Sequence, residues 1–320
     1  MLRETIRINS LELRNRIVLP PMDTGKADHG RPTEEQVAYY AARARGTGLI
    51  IAEHAYVSPE GMAHRAQLSM ADDAHVPAYR RLTDAVHANG AAIFAQLSHA
   101  GAMAQDTDLP VLSPSGIAVR GRTTASEVMT AADIARVRDR FVEAALRAKA
   151  AGFDGVEIHS AHGYLLNQFY SPLSNRRRDD YGGTLAGRTR LHGEILRAVR
   201  DAVGAAYPVA LRFGAYDYLD GGSRREDIGA AGALFAEAGA DMLDISGGLC
   251  GFILPGVTQP GWFSELSRAV KESVSIPVML TGGIRTAQEA EALLADGAAD
   301  LIGVGRAFLK DPDWALTALA

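Results

Sequence analysis

Cysteine is nearly absent from this chain of 320 residues, since Cys250 is the only one. A single thiol excludes an internal disulfide framework and any iron–sulfur cluster or zinc knuckle held by cysteines. Long apolar runs are missing too, because no stretch approaches the roughly 20 residues that span a bilayer. The N-terminus, MLRETIRINS, carries charges where a secretory signal is apolar. We therefore expect a cytoplasmic protein that does not enter a membrane.

A surplus of positive charge is also missing. The formal net charge is -5 at pH 7 and the isoelectric point is about 6.0. Nothing electrostatic therefore favours nucleic acid or an anionic membrane as a partner. The basic run at residues 176–178 is followed at once by Asp179 and Asp180. This order predicts a solvated loop or internal ion pairs.

The chain does contain a repeated pattern, in which an alanine-rich amphipathic stretch is followed by glycine and then by an aliphatic run. The glycines of this pattern are Gly46, Gly90, Gly152, Gly239 and Gly297. Each fits a helix that ends at a left-handed glycine and leads into a buried parallel strand, because strands covered on both faces are almost continuously apolar. The segments RIVLP, PVALRFG and IPVMLTG raise the number of strand candidates to eight.

Eight units of strand and helix predict an α/β fold, a (β/α)8 TIM barrel that forms one domain over residues 1–320. A doubly wound sheet is the competing fold, but the GxGxxG turn that it needs after an early strand is absent. TIRINSLELRNR alternates around Asn9 and Ser10, which predicts a short N-terminal β-hairpin that closes the bottom of the barrel. The longest insertion, residues 98–130, follows the third strand.

Side-chain alternation places polar residues inside the barrel near the strand ends. These inward residues are Glu53, Gln96, Glu157, His159, Arg212 and Asp244. One interpretation is a layer of satisfied ion pairs, for example Arg212 with Glu157. The other is that Arg212 and Gln96 reach a polar ligand bound above that layer.

The last two strands end in glycine-rich turns, TGGIRT at 281–286 and GVGRAF at 303–308. The loops after strands seven and eight of TIM barrels commonly bind phosphate, because glycines expose backbone N–H groups and a helix N-terminus favours an anion. Arg306 adds a cationic fork. These features predict a phosphate-bearing cofactor at Gly282, Gly283, Gly305 and Arg306, against the alternative of ordinary tight turns. TAQE, at 286–289, is a capping box that marks the start of the next helix.

The stretch HSAHGY, residues 159–164, follows an apolar run and places His159 and His162 side by side, with Tyr164 within reach of the same cavity. Zinc would need a third ligand nearby in sequence and, as in HExxH, a catalytic carboxylate; neither is present, so we expect no metal. Two structural histidines are a second alternative. The third is a pair of donors for a developing oxyanion, each worth about 3 kcal/mol, with Tyr164 as general acid.

Six segments resemble the old yellow enzyme family of FMN-dependent NAD(P)H oxidoreductases, and together they extend over essentially the whole chain. They are NRIVLPPM at 15–22, QLSHAG at 96–101, HSAHGYLLNQFYSPLSNRRRDDYGG at 159–183, LRFGAYDY at 211–218, TGGI at 281–284 and GVGRAFLKDP at 303–312. The third segment is long and highly specific, so chance is a poor explanation for the match.

The resemblance implies tightly bound FMN, NADH or NADPH as reductant, and a small electron-poor alkene as substrate. The residues assigned to the cofactor, with Gly282 of the phosphate turn, are Pro20, Pro21, Met22, Asp23, His54, Gln96, Arg212, Gly282, Gly283, Gly305 and Arg306. His159 and His162 would bind the substrate's carbonyl oxygen. In the implied ping-pong reaction, hydride reaches the β-carbon and Tyr164 protonates the α-carbon.

Three features depart from the family. Asp23 stands where relatives commonly carry Thr or Cys, and an ionised carboxylate there would lower the flavin's reduction potential, so Asp23→Thr is expected to raise it. The chain lacks the cluster and nucleotide-binding domains of the larger dienoyl-CoA reductases, so electrons are expected to arrive directly from nicotinamide. It also lacks the C-terminal extension through which some relatives reach a neighbouring subunit, which leaves a homo-oligomer open.

Two other functions stay open. The same flavin barrel would oxidise a substrate or reduce a nitro group without needing Tyr164. A flavin-binding sensor without a small-molecule substrate would consume no NAD(P)H with any activated alkene. The insertion after the third strand and residues 248–262 are expected to shape the substrate pocket, with Phe252 and Trp262 as candidate walls or packing residues.

Overall fold

In the computed structural model, which describes residues 1–119, 121 and 126–320, eight parallel strands close into a barrel surrounded by helices. The strands of the described residues are β1 (Ile6–Ile8), β2 (Leu11–Leu13), β3 (Ile17–Leu19), β4 (Leu49–Tyr56), β5 (Leu68–Ser69), β6 (Ala92–Ser98), β7 (Leu112–Ser113), β8 (Glu127–Val128), β9 (Gly155–Ser160), β10 (Val209–Tyr216), β11 (Met242–Gly247), β12 (Val278–Thr281) and β13 (Leu301–Gly303). The barrel order is β3, β4, β6, β9, β10, β11, β12 and β13, and β3 pairs with both β4 and β13. The predicted TIM barrel is confirmed.

Helices connect the strands and cover the outside of the barrel. Those of the described residues are α1 (Glu34–Ala44), α2 (Val76–His87), α3 (Ala131–Ala150), α4 (Leu165–Tyr170), α5 (Leu185–Val203), α6 (Asp227–Glu237), α7 (Ser264–Lys271), α8 (Ala287–Ala295), α9 (Arg306–Lys310) and α10 (Trp314–Leu319). The predicted capping box at Thr286 begins α8. The five glycines of the repeated pattern all have positive φ, between 68° and 108°. In the described ranges, no helix is both long and apolar enough to cross a bilayer.

The N-terminal hairpin closes the lower end of the barrel, as predicted. β1 and β2 pair antiparallel, with Ile6 opposite Leu13. Ile8 and Leu13 are fully buried and pack on barrel residues such as Val18, Phe94 and Met279. Burial of apolar side chains stabilises this contact by about 25 cal/mol per Å². The bottom of the barrel is therefore apolar, and its polar residues lie nearer the upper end.

The prediction that Glu53 points inward is wrong. The pairing of β4 with β6 shifts register between Ala52 and Ala55, which is a β-bulge that reverses the alternation. The Glu53 carboxylate faces α1, where it accepts a hydrogen bond from the Tyr40 hydroxyl at 3.0 Å. As a result His54, the next residue, lines the cavity at the top of the barrel.

The insertion after β6 is held to the basic run at residues 176–178. Within the insertion β7 pairs in parallel with β8, while residues 120 and 122–125 lie outside the described residues. The Arg177 guanidinium donates to the carbonyl oxygens of Pro114 at 2.9 Å and Met129 at 2.7 Å, and it forms an ion pair with Asp179 at 2.6 Å. The sequence left a solvated loop and internal ion pairs as alternatives for the basic run, and Arg177 forms an internal ion pair.

Candidate active site

A cavity of about 400 Å³ lies at the C-terminal ends of the barrel strands, a size typical of small-molecule sites. Every residue that the sequence assigned to catalysis or to the cofactor lines it. They are Pro20, Pro21, Met22, Asp23, His54, Gln96, His159, His162, Tyr164, Arg212, Gly282, Gly283, Gly305 and Arg306. Segments up to about 290 residues apart in sequence therefore converge on one space, because the C-terminal ends of parallel barrel strands share one face.

His159, His162 and Tyr164 form a cluster on one wall. The His159 ring centroid lies 5.2 Å from that of His162 and 5.0 Å from that of Tyr164. His162 adopts a left-handed φ of 60°, and its Nε2 lies 2.7 Å from the Ser246 hydroxyl oxygen of β11, which orients the ring. Tyr164 is the N-cap of α4. The strand end and the helix start thus bring the three side chains together.

His159 is neutral at physiological pH. Its side chain is buried, and burial lowers the pKa of His159 well below the ordinary value, with the Arg212 charge and His54 acting in the same direction. A neutral imidazole offers one N–H donor and one acceptor nitrogen. Nδ1 of His159 is buried and has no hydrogen-bond partner within the part of the chain that the structure describes. The ring can therefore donate to a neutral guest without adding charge to the cavity.

The floor of the cavity contains two pairs of side chains from neighbouring strands. Arg212 lies beside Asp244 in the β10–β11 register, at 3.2 Å, and Gln96 donates to Glu157 across β6 and β9 at 2.8 Å. The predicted pair of Arg212 with Glu157 is wrong, because Glu157 is opposite Ala210, two residues earlier along β10. Burial raises the pKa of Glu157, the Asp244 charge adds to this, and Arg212 opposes it.

A second polar cluster, Asp23, His54 and His64, lies at the edge of the cavity. Oδ2 of Asp23 is 2.7 Å from Nε2 of His64 and 3.6 Å from Nε2 of His54. Burial alone would raise the pKa of Asp23, but the contacts with the two histidines outweigh it and hold the pKa well below its usual value. The same contact raises the pKa of His64. His64 could not be predicted from the sequence, because it lies 41 residues from Asp23 in a loop without a motif.

One possible ligand atom from each of these three residues lies within 4.8 Å of the others, so the cluster has the spacing of a metal site. The contacts of Gln67 indicate that His54 is hydrogen-bonded and does not ligate a metal. Its Oε1 accepts the Ala63 N–H at 2.7 Å, so its amide nitrogen, 2.6 Å from Nδ1 of His54, must be the donor. Nδ1 therefore accepts and the proton of the neutral ring is on Nε2. A protonated nitrogen cannot ligate a metal.

The opposite end of the cavity is built on the two glycines of the TGGIRT turn. Gly282 and Gly283 have φ of 119° and 72°. A Cβ on Gly282 would lie 2.5 Å from Nε1 of Trp262, so only glycine fits under the indole. The Arg306 guanidinium lies 5.2 Å from the centroid of a Trp262 ring. Because α9 has only five residues, an anion here would be held by Arg306 and turn N–H groups rather than by a long helix.

Seven further residues line the cavity, and two of them, Phe252 and Trp262, are the candidate walls predicted from the sequence. Those not named are Met103, Ile253, Thr281, Ile284 and Gly303. Thr281, Ile284 and Gly303 belong to the glycine-rich turns TGGIRT and GVGRAF, so their place beside the cavity could have been predicted from those motifs. The ring of Phe252 lies 5.7 Å from His162 and its side chain is 58% exposed, so it forms the rim.

These residues fit FMN. A phosphate would be held by Arg306 and the glycine turn, where the buried Nε1 of Trp262 has no partner among the described residues. Gln96 and Arg212 line the cavity and offer the polar contacts that ring heteroatoms need. Pro20 and Met22 supply apolar surface for a flat ring.

Comparison with known proteins agrees with this fit. The sequence model of the NADH:flavin oxidoreductase / NADH oxidase family matches residues 2–319. The NADH oxidase of Thermoanaerobacter brockii is 40% identical over 96% of this chain, which spans 49% of that protein. The NADPH dehydrogenase of Geobacillus thermodenitrificans is 37% identical over 95% of this chain and 89% of that protein.

A solved structure supports the same assignment. The old yellow enzyme homologue from Zymomonas mobilis superposes with a TM-score of 0.87 at 29% identity, over 98% of this chain and 90% of that one. The chain thus spans about half the length of the NADH oxidase but nearly all of the shorter relatives. The chain belongs to the NADH:flavin oxidoreductase family, the FMN-dependent oxidoreductases that use NADH or NADPH and include the old yellow enzymes.

Proposed function

We propose that the protein uses bound FMN and NAD(P)H to reduce activated C=C bonds of small α,β-unsaturated carbonyl compounds. One observation carries the proposal: His159, His162 and Tyr164 lie within 5.2 Å of their neighbours, ring to ring, in the cavity that fits FMN. Two imidazole donors and a phenol beside a flavin suit a substrate whose carbonyl oxygen becomes negative while its α-carbon needs a proton.

The side chains would divide the reaction between them. Bound FMN would supply hydride transfer from the nicotinamide to the alkene. His159 and His162 donate hydrogen bonds to the carbonyl oxygen, and the neutral state of His159 lets it bind an uncharged ketone or aldehyde. Tyr164 gives its hydroxyl proton to the α-carbon. Burial of His159, which is 3% exposed, keeps water from competing for the donors.

Tyr164→Phe tests the acid role. Alkene reduction should fall by about 10² to 10⁴, the usual contribution of a positioned acid, while reduction of a nitro compound should survive because it needs only the hydride site. Stopped-flow measurement of each half-reaction makes the distinction. Tyr170→Phe is the matched control, since Tyr170 lies on the same short helix outside the cavity. Equal loss of both activities would assign Tyr164 to cofactor binding instead.

A visible spectrum tests the cofactor and the two histidines together. The purified protein should be yellow, and titration with a phenol should produce a long-wavelength charge-transfer band when the phenolate lies against the flavin between the histidines. His159→Ala and His162→Ala should weaken phenol binding by about tenfold or more each, as expected for hydrogen bonds to a charged group. A protein that binds no flavin would refute the proposal.

A further inference from the structure

A third imidazole lies in the same cavity. The ring centroid of His54 is 6.4 Å from that of His159 and 5.5 Å from that of Tyr164. The ring centroid of His159 is also 5.2 Å from that of His162. The three imidazoles therefore follow one another along the wall, from His162 through His159 to His54. The mechanism above uses the first two and leaves the third without a role beyond its backbone.

The neutral ring of His54 is held in one tautomer. Gln67 donates to Nδ1 at 2.6 Å, because its amide oxygen is already bound to the Ala63 N–H. The proton of the neutral ring is therefore on Nε2. The Asp23 carboxylate oxygen is 3.6 Å from Nε2, beyond the 2.7–3.2 Å range of ordinary N–H···O bonds. Nε2–H therefore belongs to a residue that lines the cavity, and its contact with Asp23 is long.

The charges around His54 select the group that it would bind. Asp23 is paired with His64 at 2.7 Å, Glu53 faces α1 on the other side of β4, and Tyr164 and His159 are the ring neighbours in the cavity. An anionic guest beside Nε2 would approach the Asp23 carboxylate. A neutral carbonyl oxygen would satisfy the donor without a second buried charge.

We propose that His54 binds a second carbonyl oxygen, so that the preferred substrates are alkenes activated at both ends, such as ene-diones and quinones. This inference rests on the proposed function, because the first carbonyl is the one bound by His159 and His162. In an extended ene-dione the two oxygens are five bonds, or about 6 Å, apart at ordinary bond lengths. The His54 and His159 ring centroids are 6.4 Å apart, so donors on the two rings are close enough to be reached by the two oxygens of one such molecule.

The test compares two alkenes that differ by one carbonyl, hex-3-ene-2,5-dione and hex-3-en-2-one, in the flavin-loaded protein. His54→Leu should lower the ratio of their kcat/KM values, dione over enone, by about threefold to tenfold, the value of one neutral hydrogen bond. Effects of the substitution on the flavin are common to both substrates and cancel in the ratio. His54→Gln keeps an N–H donor and should restore much of the ratio. An unchanged ratio in His54→Leu overturns the proposal.

Ligand affinity supplies a readout without turnover. Spectral titration with 4-hydroxyacetophenone and 4-ethylphenol should show the acetyl compound losing about threefold to tenfold more affinity in His54→Leu. If both phenols bind and neither alkene is reduced, the proposed function fails while this affinity ratio still decides the role of His54. A dione-to-enone ratio that changes on addition of Zn²⁺ or EDTA would assign Asp23, His54 and His64 to a cation and overturn the proposal.

Discussion

Asp23 and His64 act on the cavity as a charge pair rather than as two independent groups. Nε2 of His64 lies 2.7 Å from the carboxylate. Contacts with His54 and His64 hold the pKa of Asp23 low against the effect of burial, and the contact with Asp23 raises the pKa of His64. When His64 is protonated the pair has no net charge. The rise in flavin potential predicted for Asp23→Thr should therefore be smaller than an unpaired carboxylate would cause, because His64 loses its charge as well.

His64→Gln should lower the reduction potential of the bound flavin, because it leaves the Asp23 carboxylate uncompensated. The expected change is on the order of 30 mV, equal to about 1.4 kcal/mol for a two-electron couple. Dye-equilibrated reductive titration at pH 6 measures it. In the double variant with Asp23→Thr the potential should return towards that of the parent protein. A potential that rises in His64→Gln would contradict the charge-pair explanation.

Arg306→Ala should weaken FMN binding, because the guanidinium is the cation at the phosphate end of the cavity. Loss of a hydrogen bond to a charged group costs about 1.5–3 kcal/mol, which is about a tenfold to 150-fold rise in the FMN dissociation constant. Flavin fluorescence titration of the apoprotein measures this constant. Arg285→Ala removes a cation from the neighbouring turn that does not line the cavity, so an equal loss in that control would exclude a specific phosphate contact.

At the scale of elements, α1 holds the bulged part of β4 in place and so directs His54 into the cavity. The Tyr40 hydroxyl donates to the Glu53 carboxylate at 3.0 Å and accepts the Glu53 backbone N–H at 2.8 Å. Burial raises the pKa of Glu53, and hydrogen bonds from Thr24, Gln36 and Tyr40 oppose this. A bulge that leaves a carboxylate buried is therefore stabilised by partners on the adjoining helix and loop.

Tyr40→Phe should destabilise the fold by about 1–3 kcal/mol, the cost of leaving buried donors and acceptors without partners. Denaturant unfolding gives this free energy directly. The neighbouring tyrosine is the matched control, because the Tyr39 hydroxyl has no hydrogen-bond partner among the described residues. Tyr39→Phe should change stability by less than about 0.5 kcal/mol, as is usual for a substitution that removes no contact. Equal effects in the two variants would show that the Glu53 contacts add little.

At the scale of the whole molecule, buried neutral histidines make folding sensitive to acid. Burial lowers the pKa of His99 to about 4 and that of His192 to about 3. The unfolded chain, in which a histidine titrates near the ordinary value of about 6.5, then binds more protons than the folded chain below that pH. The stability contributed by these rings is complete above about pH 6.5 and is lost as the pH falls towards the folded pKa values.

His192→Gln should reduce this acid sensitivity by one proton. Between pH 6 and pH 4 the free energy of unfolding should fall less steeply, by about 1.4 kcal/mol per pH unit, than in the parent protein. Chemical unfolding at several pH values measures the slope, and the amide of Gln can retain the contact that His192 makes with Ser160 at 2.8 Å. His29→Gln, at an exposed side chain, is the control. An unchanged slope in His192→Gln would place the acid sensitivity elsewhere.

The sequence by itself determined the barrel, its hairpin and most residues of the cavity. Apolar runs, glycine stops and strand-end motifs are local features, and in a parallel barrel all strand ends meet at one face, so ordinal position alone located Gly282, Gly305 and Arg306. The inferences from charge and from hydrophobic periodicity did not depend on contacts between distant residues. HSAHGY also placed two imidazoles close together, although the turn between β9 and α4, and not helix spacing, brings them into contact.

Only the tertiary structure decided which groups meet. Strand register places Arg212 beside Asp244 rather than Glu157. A bulge in β4 turns Glu53 towards α1 and His54 towards Tyr164. Loop packing brought His64 to Asp23 and Gln67 to His54. A partner that lies tens of residues away is selected by register and packing, which no local pattern encodes. For that reason the proton positions and charges of this cavity follow from the fold.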